Sequence, residues 1–160
     1  MRIEPRLDSS FRDPHGVLFS RGGRVLRMVN SGGVADLQAF LASSAADKWI
    51  ESGALVRTTM LGHNEREAVL ADPGIADVYA NIHGEAILEH ERIPFPSFPY
   101  EWPPEMLHSA AALIIELTLE LLPENLGLKD ATPYNILFRG PRPVFIDLLS
   151  FERRDAGDPT

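Results

Sequence analysis

The sequence predicts an α+β fold: a small antiparallel sheet with a helix pair over residues 1–93, a proline- and aromatic-rich linker over 94–104, and a mainly helical part over 105–160 that includes a polar loop and a hairpin. Three observations predict it. Short segments with every second residue apolar recur in the first part, separated by glycine-bearing turns, which is the period and punctuation of strands. Among them lies one stretch with the three-to-four-residue apolar spacing of a helix. Beyond the linker, an apolar run is bracketed by prolines, as suits one long helix.

Taken in order, Gly16-Val17-Leu18-Phe19-Ser20 and the segment 24–29 read as two strands joined through Arg21-Gly22-Gly23. A tight hairpin turn needs positive φ, which glycine adopts without strain. Residues 33–52 are helical in pattern, with Val34, Leu37, Phe40 and Leu41 on one face and a break at Ser43-Ser44. There Ser44-Ala45-Ala46-Asp47 has the form of an N-cap with an acid three residues on, and Gly53 closes the second helix. Residues 54–61 alternate as a strand, Asn64 is placed as the cap of a short helix, and Asp72-Pro73-Gly74 as a turn. Residues 78–82 and 85–93 are expected to form a hairpin through His83-Gly84. In the linker, Phe95, Phe98, Tyr100 and Trp102 alternate with prolines. They are expected to pin the linker to the body, since nothing basic accompanies them for stacking on nucleic acid.

Residues 105–122 read as one helix, with Pro103 and Pro104 at its start and Pro123 beyond its end. Its apolar residues occupy more than one face, Leu113, Leu117 and Leu121 on one side and Ile115, Leu119 and Leu122 on another. Such a helix is expected to be buried on most sides, and since the rest of the sequence offers few elements to cover it, its neighbours are expected in a part outside this sequence. A membrane span is disfavoured because His108, Glu116 and Glu120 interrupt the run.

The 160 residues and 44% hydrophobic content suit one core. A net charge of −8 without a basic cluster disfavours non-specific nucleic-acid binding, which relies on Lys and Arg neutralising phosphates. The densest basic stretch, Arg21, Arg24 and Arg27, reads as a solvated strand face. There is no cysteine, hence no disulfide framework and no thiolate metal site. MRIEPRLDSSFRDPHG lacks the apolar core of a signal peptide, which makes the cytoplasm the expected location, with no membrane partner. His15, His63, His83, His90 and His108 have no zinc-ligand spacing, and no G-x-S-x-G marks a hydrolase nucleophile.

The most informative stretch is Leu128-Lys129-Asp130-Ala131-Thr132-Pro133-Tyr134-Asn135, followed by Val144-Phe145-Ile146 ending on Asp147. Asp130 and Asn135 are five apart on a loop, and Asp147 follows twelve residues later. Kinase-type phosphoryl transfer uses that order: an Asp that accepts the proton of the attacking hydroxyl, an Asn on the same loop that holds Mg²⁺, and an Asp after the next hairpin that bridges metal and phosphates. The competing reading is structural: Asp130 caps a turn before Pro133, Asn135 bonds its own backbone, and Asp147 ends a strand.

Residues 128–147 resemble the catalytic loop and metal-binding hairpin of the protein-kinase-like superfamily, closest to its aminoglycoside and choline phosphotransferase branch. Gly157-Asp158-Pro159 resembles a Gly-Asp-Pro found there. A narrower resemblance rests on Leu88-Glu89-His90-Glu91-Arg92-Ile93-Pro94-Phe95, Pro99-Tyr100-Glu101-Trp102-Pro103, residues 128–135, and Phe145-Ile146-Asp147 with Ser150-Phe151-Glu152. It is to the amino-terminal region of bacterial proteins named SAM-dependent methyltransferases, in which a methyltransferase domain follows. The first resemblance implies a kinase-like N-lobe over 1–93, a partial C-lobe over 105–160, ATP and Mg²⁺ as cofactors and a small-molecule hydroxyl as substrate. It also implies Asp130 as base, with Lys129 offsetting charge on the transferred group, and Asn135 and Asp147 as metal and nucleotide ligands. With thirteen residues after Asp147, a kinase-like C-lobe would be cut short. One departure stands out. The lysines are Lys48 and Lys129, so no predicted amino-terminal strand offers one to grip the α- and β-phosphates. Arg27 is a non-equivalent substitute, and Glu51 is the nearest candidate for the helix Glu that such a Lys pairs with. Two expectations follow: a small-molecule phosphotransferase site, or a non-catalytic kinase-like module attached to a methyltransferase, with SAM bound only by that downstream domain.

Overall fold

The computed structural model describes residues 14–154, which divide into two compact units, one of residues 14–35 and 58–92, the other of residues 36–57 and 93–154. Gly157-Asp158-Pro159 lies outside the described residues.

The first unit is built on a four-stranded antiparallel sheet in the order β1-β2-β4-β3, where β1 is Gly16–Arg21, β2 Arg24–Asn30, β3 Thr58–Met60 and β4 Gly84–His90. The β1–β2 hairpin forms as expected, with Arg21 opposite Arg24 and both turn glycines at positive φ, +56° at Gly22 and +81° at Gly23. Two central residues in that region define the turn whose twist matches paired strands. Two helices follow β3, α3 over His63–Leu70 and α4 over Pro73–Asn81. The segment 78–82, expected as a strand, is therefore helical. Asp72 accepts the Gly74 N–H at 3.0 Å and Pro73 occupies the first turn, a helix start rather than a simple turn. Ile75, Val78, Tyr79 and Ile82 then face one way at helical spacing. They meet the core of Phe19, Leu26, Met28, Leu61, Val69 and Ile87. Consequently β4 pairs with β2 and β3, not with the preceding segment. The cap of α3 is Gly62, whose N–H bonds Glu65 Oε2, and Asn64 sits inside the helix.

The basic strand face also differs from expectation. Arg27 is buried, and Arg24 makes a two-pronged pair with Glu89 at 2.8 and 2.6 Å. That pairing lowers the Glu89 carboxyl below its usual range. The four successive residues Leu26 to Val29 are all buried, so side chains on both faces of β2 are covered and its alternation exposes neither.

Helix α1 is Ser31–Leu41 and α2 is Ser44–Ser52, so the expected break is real. The cap is Ser43, whose Oγ accepts the Ala46 N–H at 3.2 Å, and Gly53 closes α2 at φ +78°. In the second unit residues 54–56 run alongside the end of a later strand, Val56 N–H bonding Phe145 O at 2.9 Å and Phe145 N–H bonding Ala54 O at 2.8 Å. The strand expected over 54–61 is shortened to β3 because its first part has this other partner.

The rest of the second unit comprises α5, Pro104–Leu121, then β5 Leu126–Leu128, β6 Ile136–Arg139, β7 Arg142–Phe145 and β8 Phe151–Arg153. β5 pairs with β8 and β6 with β7, both antiparallel. In α5, Ala110, Leu113, Leu117 and Leu121 are buried on one face, whereas Leu107, Ile115 and Leu119 are exposed, as is Leu122 just past its end. The second apolar face, for which the sequence offers few covering elements, is exposed among the described residues. By length and composition alone the stretch from Pro104 to Glu124 is long and apolar enough to cross a membrane. Within the unit, α5 packs on β7 and β5. Of the linker aromatics, Trp102 is pinned, edge-on to Phe138 with ring centroids 5.0 Å apart and its Nε1–H on Ser97 Oγ. Phe95 and Tyr100 are exposed.

Candidate functional site

The residues singled out between 128 and 147 lie in the second unit, and the local chemistry of the chain sets their geometry. β5 delivers the chain to Lys129, whose backbone N–H bonds Ser150 O at 2.7 Å. Asp130 then turns the loop, its Oδ1 accepting the Thr132 N–H at 3.1 Å, and Thr132 in turn accepts from Tyr134 N–H at 3.3 Å. These are the side-chain turns that Asp and Thr favour before a proline. Pro133–Asn135 forms one 3₁₀ turn, after which β6 and β7 make a hairpin through Gly140 at φ +59°. Ile146 N–H returns to Asn135 O at 2.9 Å, so the hairpin brings Asp147 back beside the loop.

Asn135 and Asp147 are joined by a residue the sequence reading gave no role. Asn135 Nδ2 donates to the Asp130 carbonyl at 3.2 Å and to Ser150 Oγ at 3.1 Å. Ser150 Oγ donates to Asp147 Oδ2 at 2.6 Å. Asp147 Oδ1 accepts the Leu149 N–H at 3.3 Å, capping the short turn Leu148–Ser150. Asp130 is exposed, Asn135 and Asp147 are half-buried, and Ser150 is buried. The structural reading of Asp130 as a turn cap is thus realised, whereas Asp147, expected to end a strand, lies two residues past β7 and caps the next turn. Asn135 bonds the backbone of its own loop at Asp130, as that reading has it, and also reaches across the site to Ser150.

An aromatic cluster fixes the segment that carries Asp147 and Ser150. Phe151, the next residue, stacks on Phe40 with centroids 3.7 Å apart and planes 10° apart, and it meets Phe145 at 5.4 Å. Trp49 closes the cluster and donates its Nε1–H to Glu120 at 2.7 Å. Residues 145 and 151 are therefore both anchored in one core, and the polar residues between them are held at its edge.

Lys129 is directed elsewhere. Its ammonium lies 3.2 Å from Asp36 Oδ2 on α1, and Arg153 Nε bonds Asp36 Oδ1 at 2.9 Å. Burial pushes the Asp36 carboxyl up, but the hydrogen bonds from Arg153 and Lys129 outweigh it and hold the group below its ordinary range. Asp36 and Ser150 were the residues sequence reasoning missed. Ser150 carried a signal, three residues after Asp147 at the turn its carboxylate caps. Asp36 carried none, because its partners are about a hundred residues away (|i−j| = 117 for Arg153).

Among the described residues no group of three or more His, Asp or Glu is arranged to hold a metal. Mg²⁺ commonly takes one or two side-chain oxygens and completes its shell with substrate phosphates and water. Asp147 with the Asn135 amide oxygen has that donor chemistry, suited to a phosphate-borne cation and not to a protein-only cage. Glu51 is exposed near the end of α2, and Arg27 belongs to the other unit. A separate cavity of about 450 Å³ in the second unit is lined by Ala39, Ser43, Asn125, Arg153 and Arg154 among others, and by none of Asp130, Asn135 and Asp147.

No protein-family model matches the chain. It is similar to the nodulation protein NoeA of Rhizobium meliloti (strain 1021), with 32% identity over 147 residues, a match that takes in 92% of this chain and 28% of that protein. The chain thus spans little more than a quarter of the length of this relative.

Proposed function

We propose that this chain is a kinase-like module whose second unit carries a Mg²⁺–nucleotide site, transferring the γ-phosphoryl group of ATP to a small-molecule hydroxyl. The observation that carries the reading is the continuous hydrogen-bonded line from the Asp130 carbonyl through Asn135 Nδ2 and Ser150 Oγ to Asp147. It ties the Asn135 and Asp147 side chains together through Ser150 and anchors them to the backbone of the loop that carries Asp130, in the chain order that phosphoryl transfer uses.

In the proposed reaction the exposed Asp130 carboxylate accepts the proton of the substrate hydroxyl through the oxygen not occupied by Thr132. The hydroxyl oxygen forms the new bond to the γ-phosphorus, and the bond from that phosphorus to the bridging oxygen breaks, releasing ADP. Asn135 Oδ1 and Asp147 are the groups that would hold Mg²⁺, which when bound offsets charge on the phosphates. The loop turn at Thr132 keeps Asp130 from rotating away from the substrate, a positioning contribution. Lys129, committed to Asp36, orients the base of the loop instead of meeting the phosphoryl group.

The second reading is a non-catalytic kinase-like module that serves a SAM-dependent methyltransferase domain outside this chain. What favours it is the absence of a lysine on β1 to β4, the two lysines lying in α2 and in the loop after β5. An assignment to nodulation chemistry, as the relative's name has it, would belong to the longer protein in either case.

Titration calorimetry of ATP with and without Mg²⁺, on this chain and on Asp147→Asn, separates the two. The phosphotransferase reading expects Mg²⁺-dependent binding that weakens at least about tenfold in the variant, the lower end of what an oriented metal-site contact is worth. Absence of nucleotide binding by the folded protein would reject it in favour of the scaffold reading. Saturable SAM binding by this chain would contradict both.

A further inference from the structure

We infer that Ser150 is a positioning residue that fixes which end of the Asn135 amide faces the cation position. The inference rests on the Mg²⁺–nucleotide reading of Asp147 and Asn135. It follows from a chain of hydrogen-bond directions with one consistent solution. The Asp147 carboxylate, when ionised, only accepts hydrogen bonds. Ser150 Oγ, 2.6 Å from Asp147 Oδ2, must therefore spend its single proton there. Having no second proton, the hydroxyl can only accept from Asn135, 3.1 Å away. Asn135 must then turn its NH₂ toward Ser150, and the Asp130 carbonyl at 3.2 Å, another pure acceptor, takes the second amide proton. Both donors of the amide are consumed, and its oxygen becomes the end available to a hard cation, the oxygen donor that Mg²⁺ selects.

The site has reason to hold this polarity. Ser150 is 3% exposed, so water is a poor competitor for its hydroxyl. Its backbone is tied on both sides: Ser150 N–H bonds Asp147 O at 3.2 Å and Ser150 O accepts Lys129 N–H at 2.7 Å. Phe151, beside it, is locked in the aromatic core. Ser150 thus relays the charge of Asp147 into the orientation of Asn135. Removing the hydroxyl would leave the Asn135 amide with one fixed acceptor in place of two, and flipping it would present NH₂ to the cation.

Two measurements on the intact chain test this, using Ser150→Ala to delete the hydroxyl and Ser150→Thr to keep it. In ¹H–¹⁵N spectra without nucleotide or metal, the Asn135 side-chain amide protons are expected to be slowly exchanging in the wild type and in Ser150→Thr. In Ser150→Ala they are expected to exchange at least about tenfold faster while backbone resonances of β5 and β8 persist. Unchanged Asn135 protons in Ser150→Ala would overturn the inference whether or not nucleotide binds. The second measurement is Mn²⁺ binding by electron paramagnetic resonance in the presence of ATP. A weakening of about tenfold to a hundredfold in Ser150→Ala, restored in Ser150→Thr, is the range expected when a partner orienting a ligand is lost. Equal Mn²⁺ affinity in wild type and Ser150→Ala, with Asp147→Asn impaired, would reject the role of Ser150 and leave the nucleotide site standing. Mn²⁺ binding indifferent to Asp147→Asn would reject the nucleotide site itself.

Discussion

Asp36 shows how one carboxylate can organise chain segments far apart in sequence. It receives Lys129 from the loop after β5 and both the side chain and backbone of Arg153 from β8. Because its folded pKa lies below the ordinary 3.8, its contribution to stability is complete above that value and is lost as pH falls through the folded pKa. The urea stability difference between wild type and Asp36→Asn should accordingly be largest above about pH 4 and close below it. The Arg153 side chain is largely exposed, so its share of the effect should be at most about 1 kcal/mol and should shrink in high salt.

At the scale of elements, two substitutions probe why the segments take the forms they do. A Cβ on Gly84 would lie 2.3 Å from the Tyr79 ring and 2.7 Å from its Cγ, near the root of the side chain where rotation gives little relief. Gly84→Ala should cost about 1–3 kcal/mol in urea denaturation, the usual range for overpacking. Its effect should fall in Tyr79→Ala if the contact between α4 and β4 is the cause. In the other unit Phe151 ties β8 to the Phe40, Trp49 and Phe145 rings. Phe151→Ala should cost about 3–5 kcal/mol. Through its neighbour Ser150 it should also disturb Asn135 and Asp147, which nucleotide titration of the surviving folded fraction would register. The helix over Pro73–Asn81 illustrates a local limit of sequence reading. Alternation over five residues is compatible with either period, and the Asp72–Gly74 hydrogen bond at its start decides for helix.

For the molecule as a whole, a net charge of −8 and a sequence pI near 5.1 imply repulsion between copies at neutral pH that disappears on mild acidification. Turbidity against pH should therefore peak close to 5.1. The exposed apolar face of α5 adds to that tendency. Ile115→Glu, at a position where the side chain is mostly in solvent, should leave unfolding free energy within about 0.5 kcal/mol while reducing turbidity.

By itself, the sequence determined the features whose causes are local. The β1–β2 hairpin was legible because two glycines at positive φ leave few alternatives. The α1–α2 break was legible because serine caps and glycine ends a helix. The long α5 was legible from its prolines and unbroken apolar spacing. The order Asp130, Asn135, Asp147 was likewise visible as spacing. Tertiary structure decided the rest, because those outcomes depend on which distant groups meet. It gave residues 54–56 to Phe145, buried Arg27 between strand neighbours, drew Lys129 onto Asp36, and set Ser150 between Asn135 and Asp147. Hydrogen bonds and burial are settled by proximity in space, and a carboxylate as far along the chain as Asp36 leaves no periodic trace beside Lys129, the lysine it holds.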